Sequence, residues 1–83
     1  MFLHLGGTMI IKTEELIAVE NLERLTSLDG WLRQRMKVGR QVVDIAEGKP
    51  KSAIYTDQKI ILSAISSTTL KKRLKQIPMK QVF

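Results

Sequence analysis

The residues of this chain best able to do chemistry are its lysines and arginines, fourteen among 83 residues, and what they offer is contact with phosphate. They gather in three places. Lys49-Pro50-Lys51 reads as a turn in which proline stiffens a loop bearing two ammonium groups. Lys71, Lys72, Arg73 and Lys75 follow directly on a run of hydroxyls, Ser66-Ser67-Thr68-Thr69. Arg33, Lys37 and Arg40 recur at i, i+4 and i+7, with Arg35 nearby, which predicts a basic stripe along a helix. One such cluster is ordinarily a solvated face. Three of them on a chain of formal net charge +6 point to a polyanionic partner. Base-specific reading is not indicated, because no recognition-helix pattern of Asn, Gln and Arg follows a helix–turn, and aromatics for stacking are few.

Catalysis has weaker support. His4 is the single histidine and alternates with Leu3 and Leu5, which predicts a solvent-facing position on a strand. The hydroxyls of Ser66 to Thr69 lack a partner to activate one of them, and helix capping accounts for them. Glu14 and Glu15 are sequence neighbours, so a strand or turn sends them apart and makes no acid/base pair. Gly6-Gly7 lacks the helix and lysine of a phosphate loop. With no cysteine there is neither a disulfide nor a thiolate metal site. A non-enzyme without cofactor or metal is the expectation.

Composition, at 43% hydrophobic and 27% charged, is that of a folded domain. A chain this short forms one domain, residues 1–83, and hides roughly 60–65% of its unfolded surface, so oligomerisation is a natural source of further burial. The charge is divided. Residues 1–30 hold two basic and five acidic side chains, a net of −3, whereas residues 31–83 hold twelve and three, a net of +9. That polarity suits nucleic acid, or head-to-tail pairing of copies. The apolar runs fall far short of the ~20 residues a bilayer span needs, and no basic segment precedes Phe2-Leu3, so neither a membrane span nor a secretory signal is expected. The absence of cysteine fits a cytoplasmic protein.

The scaffold predicted to position these groups is α+β. Residues 1–5 and 8–12 flank Gly6-Gly7 as a β-hairpin. Leu16-Ile17-Ala18-Val19 is β-branched enough for a buried strand but too short for periodicity to decide. From Thr26 or Ser27 as cap, Leu28, Leu32 and Met36, widened by Trp31, predict a helix that Gly39 ends; Gly30 inside it is unfavourable by about 1 kcal/mol. Residues 41–46 form another strand, and residues 53–56 and 59–64 a second hairpin around Asp57-Gln58. A final helix runs from Ser66 or Ser67 to about Gln76, with Leu70, Leu74 and Ile77 inward and Pro78 as stop, leaving residues 78–83 as a short tail. The expectation is an antiparallel-rich sheet of five to six strands with two helices.

His4-Leu5-Gly6-Gly7, Gly48-Lys49-Pro50-Lys51-Ser52 and Leu62-Ser63-Ala64-Ile65-Ser66-Ser67-Thr68-Thr69-Leu70-Lys71-Lys72-Arg73 together resemble the RemA/RemB family of extracellular matrix regulators, its RemB branch in particular, from residue 1 to about residue 74. The last motif is quite specific; the first two are weak alone. The resemblance implies a small cytoplasmic DNA-binding regulator of biofilm-matrix genes in Gram-positive bacteria. It implies a closed ring-shaped homo-oligomer that bends double-stranded DNA around itself, with a RemA-type paralogue as a further candidate partner. In the RemA branch, arginines just after the first hairpin and in the central loop serve DNA. The central-loop position matches Lys49 and Pro50, with Lys51 beside them, so Lys49 and Lys51 become the first choice for DNA contact. Lys71, Lys72, Arg73, Lys75, Arg33, Lys37 and Arg40 become a supporting surface. The position after the hairpin falls at Glu14 or Glu15, a reversal of charge. The alternative is an oligomeric interaction module of the same fold, with Glu14 and Glu15 at the subunit interface.

Overall fold

The computed structural model describes residues 1–36 and 39–76. Its strands are β1 (Phe2–Gly6), β2 (Met9–Lys12), β3 (Ala18–Asn21), β4 (Gln41–Asp44), β5 (Ser52–Tyr55) and β6 (Lys59–Ser63). Its helices are α1 (Leu28–Met36), between β3 and β4, and α2 (Ser67–Gln76) at the end, with a 3-10 turn at Thr13–Glu15. Among the described residues the fold is α+β with two helices, six strands and an N-terminal hairpin, in the predicted order.

The strands divide into two sheets. β1 and β2 form an antiparallel ribbon, and the larger sheet has the order β3-β5-β6-β4. Three of the four pairings are antiparallel, and β4 runs parallel to β6. The ribbon lies over the larger sheet without a shared ladder, and side chains that donate to carbonyls of β1 tie it to the rest of the fold. The buried Ser63 hydroxyl donates to the Leu5 carbonyl, and Arg73 Nη1 donates to the His4 carbonyl at 3.0 Å. Gly6 (φ +118°) ends β1 and Gly7 (φ +55°) with Thr8 makes the hairpin turn, one residue later than expected; both glycines hold a conformation costly for residues with a Cβ.

Alternation on β5 and β6 gives the larger sheet two buried faces. Ile54 and Ile61 join Leu3, Leu5, Ile11 and Leu70 beneath the ribbon and α2. Ala53, Ile60 and Leu62 join Leu22 and Trp31 beneath α1, with Leu28 and Leu32 packed alongside. Two antiparallel steps and one parallel step make β3 and β4 run the same way at opposite edges. α1 therefore crosses the face between them as a connector.

Several boundaries differ from expectation, two of them with consequences for where side chains lie. The third strand starts at Ala18, because the 3-10 turn carries Leu16 into the core while Ile17 remains exposed. α1 spans Leu28–Met36, so Arg40 lies past Gly39, directly before β4, and shares no helical stripe with Arg33. Lys37, Ile77, Pro78 and the tail 78–83 lie outside the described residues. Gly30 has a local reason. Its N–H donates to the Ser27 cap at 3.1 Å, and a Cβ there would meet that same oxygen at 3.3 Å. Among the described residues no helix is long and apolar enough to cross a membrane.

Candidate nucleic-acid interface

The loop between β4 and β5 holds Lys49 and Lys51 on a backbone fixed at both ends. Asp44 accepts hydrogen bonds from the N–H groups of Ala46 (2.8 Å) and Gly48 (3.0 Å). Glu47 and Gly48 adopt positive φ, and the Lys49 N–H closes the turn on the Ala46 carbonyl at 3.1 Å. On the far side, the Lys51 N–H donates to Ser63 at 2.8 Å and its carbonyl accepts from Leu22 at 2.9 Å. Both lysine side chains are exposed, and neither is in an ion pair among the described residues. Two ammonium groups thus project from a rigid turn, a geometry suited to adjacent phosphate oxygens.

α2 supplies the second basic surface, and its hydroxyls do structural work. Ser66 Oγ accepts from the Thr69 N–H at 3.1 Å as the N-cap, while Ser67 is buried. Ser63 Oγ also accepts from the Ile65 N–H at 3.0 Å, and Ser52 donates to the Ile65 carbonyl at 2.7 Å, which fixes the approach to the helix. Leu70 is buried and Leu74 half-buried, leaving Lys71, Lys72 and Lys75 exposed on the other side. Arg73 is half-buried and engaged with His4. Its Nη1 lies 3.4 Å from His4 Nδ1, and His4 Nε2 lies 2.8 Å from the Gly7 carbonyl, an acceptor only. Nε2 therefore carries the proton, and Nδ1 faces Arg73 as acceptor.

The third predicted cluster disperses. Arg33 is exposed on α1, whereas the Arg40 guanidinium lies over the Tyr55 ring, 5.8 Å from its centroid. Arg35 turns inward. Its Nε donates to the Tyr55 hydroxyl at 2.9 Å, Nη2 pairs with Glu20 at 3.6 Å, and its guanidinium lies 5.2 Å from the Trp31 ring centroid. The Tyr55 hydroxyl in turn donates to Glu20. Burial pushes the Tyr55 hydroxyl pKa up, and the hydrogen bond to Glu20 adds to the rise. The hydrogen bond to Tyr55 raises that of Arg35.

Glu14 and Glu15 lie far from the basic loop. The β5–β6 turn, with Asp57, caps one end of the central strands, and Ser63 backs Lys51 at the other. Glu14 and Glu15 border the Asp57 end, around a groove of about 350 Å³ with Ile11 and Ile61 among its lining and Lys59 at its rim. Glu15 accepts from the Lys12 N–H at 3.0 Å. A backbone N–H first, then the Thr13 hydroxyl and the N-terminal ammonium, hold the Glu14 carboxyl below its usual range.

Residues 2–74, a span that takes in the basic loop and α2 as far as Leu74, match the family model for RemA-like proteins, described as extracellular matrix regulatory protein A-like. The chain belongs to the RemA-like family. It is also similar to extracellular matrix regulatory protein B of Bacillus subtilis (strain 168), 32% identical over 75 residues that cover 88% of this chain and 89% of that protein. Within this RemA-like chain, the hydroxyl-rich motif after β6 is a joint between sheet, hairpin and α2. The inward network of Glu20, Tyr55, Arg35 and Trp31 escapes sequence reasoning except for one signal: Trp31 and Arg35 are spaced i, i+4 on one helix face.

Proposed function

We propose that this RemA-like chain is a cytoplasmic DNA-binding regulator of extracellular-matrix genes, not an enzyme, and acts as a ring-shaped homo-oligomer. Lys49 and Lys51 contact phosphates, with Arg33 as an outlying contributor. The observation that carries the reading is the braced loop, which holds two exposed ammonium groups free of ion pairs among the described residues, on a chain of net charge +6. The family name of its relative supplies the extracellular-matrix part of the reading. One protomer offers one or two phosphate contacts, too few for useful affinity. Repetition of the same loop around a closed assembly multiplies them, and heterologous contacts that close generate such a ring. Selectivity then rests on how readily the duplex bends.

Native mass measurement of the chain, alone and with duplex DNA at about 50 mM salt, tests the proposal. A closed assembly that takes up DNA is the expected result. Absence of DNA binding at low salt overturns it. The groove beside Glu14 and Glu15 favours a second reading, an oligomeric interaction module that ignores DNA. Light scattering that shows assemblies dissolving as salt rises, with no DNA uptake at any stage, selects that reading.

A further inference from the structure

The groove beside the 3-10 turn has the make-up of a protein-binding surface. The buried Ile11 and Ile61 lie beneath it, and its charged lining is Glu14, Glu15 and Asp57 against Lys59. The surroundings are apolar to an unusual degree for solvent. Met1 (56% exposed), Phe2 (61%) and Ile17 (55%) lie at the same end of the molecule. Met1 is placed there by hydrogen bonds from Thr13 to its carbonyl, Phe2 by pairing with Lys12, and Ile17 by its bond to Tyr55, next to the groove residue Thr56. Exposed apolar area rimmed by charge marks interaction surfaces.

We infer that this groove receives the exposed face of α2 from a second copy of this chain. Charge complementarity selects the occupant. Helix α2 carries Lys71, Lys72, Arg73 and Lys75 and no carboxylate in its ten residues, whereas the loop lysines sit among Glu47 and Asp44. Lysine stems are apolar as far as their ammonium groups, so they cover Phe2 and Ile17 while their charges reach Glu14, Glu15 and Asp57. The two surfaces are different patches of one protomer, so the contact is heterologous and each copy can both give and receive. Lys49 and Lys51 remain outside it and open to phosphate. The inference rests on the homo-oligomer reading proposed above and names its interface.

A charge-swap pair, measured without DNA, tests it. Glu14→Lys with Asp57→Lys reverses the groove, and Lys71→Glu with Lys72→Glu reverses the helix face; all four side chains are exposed. Circular dichroism confirms that each variant folds. Sedimentation velocity is expected to show wild type assembled and each variant alone requiring at least about 100-fold higher concentration to assemble, because like charges then meet. A 1:1 mixture regains assembly, since each altered surface faces an opposite one. A variant that assembles alone like wild type overturns the inference, as does a mixture of folded variants that stays monomeric. A wild-type chain that is monomeric overturns the inference together with the oligomer reading, and leaves the groove to a basic segment of another protein. DNA uptake through Lys49 and Lys51 is scored separately, so loss of one reading is not mistaken for loss of the other.

Discussion

Discharging Lys49 and Lys51 together is the sharpest test of the proposed DNA contact. Glutamine at both positions keeps length and hydrogen-bonding capacity and removes two charges. Neither lysine is ion-paired among the described residues, and the bonds that brace the loop use backbone atoms or Asp44, so the substitution leaves the fold intact. The effect on binding follows from counterion release. Affinity falls with salt at a slope of about −0.9 per phosphate engaged, so raising salt from about 50 to about 200 mM weakens binding by about 0.54 log units per phosphate. Releasing two phosphates per protomer therefore amounts to about 1.1 log units. The deficit of Lys49→Gln with Lys51→Gln relative to wild type should shrink about 12-fold across that range for every protomer touching DNA. Fluorescence anisotropy of a labelled duplex over a salt series reads this directly. Lys12→Gln with Lys59→Gln removes the same charge from exposed positions at the other end and serves as control. If both double variants flatten the salt slope equally, attraction is diffuse and the loop is no site.

Three further outcomes follow from the geometry. Ser63→Ala strips the buried hydroxyl that serves the Leu5 carbonyl and the Ile65 N–H, and should lower unfolding free energy by about 2–4 kcal/mol in urea denaturation, since each orphaned group costs about 1–3 kcal/mol. Ser66→Ala removes the cap of α2 and should cost about 1 kcal/mol by thermal circular dichroism; an unchanged melt would refute the capping role. Tyr55, the one tyrosine, should ionise above the ordinary value of about 10 in ultraviolet titration, and Glu20→Gln should bring the midpoint down. Because its folded pKa exceeds the unfolded one, the stability it contributes is full below about pH 10 and lost as pH rises through the raised value.

Where a segment's structure is decided locally, the sequence reveals it. Ser27 and Ser66 precede apolar runs of helical period and become caps, and Asp57-Gln58 separates two apolar runs that pair as a hairpin. Where partners are remote, it does not. The parallel pairing of β4 with β6, and the contact of Ser63 with Leu5, 58 residues away, are set by tertiary packing that no local pattern announces. Arg35 resembles its neighbours Arg33 and Arg40 in composition, yet Glu20 and Tyr55 from two different strands turn it inward. Leu16 and Ile17 are equally apolar, and the 3-10 turn before them decides which one enters the core. For the candidate site, the loop lysines were legible from Gly48-Lys49-Pro50-Lys51. The groove was not, because Ile11, Glu14 and Asp57 are brought together only by the docking of the ribbon on the sheet.

That docking gives the groove a thermodynamic consequence. One of its walls belongs to the ribbon and the 3-10 turn, the other to the β5–β6 turn of the larger sheet, and no ladder joins the two sheets. Anything seated in the groove touches both walls and so favours the docked ribbon over the undocked one. Occupancy and ribbon docking are then linked equilibria, each strengthening the other by the same factor. An occupant of that seam would lend a chain of 83 residues a share of its rigidity.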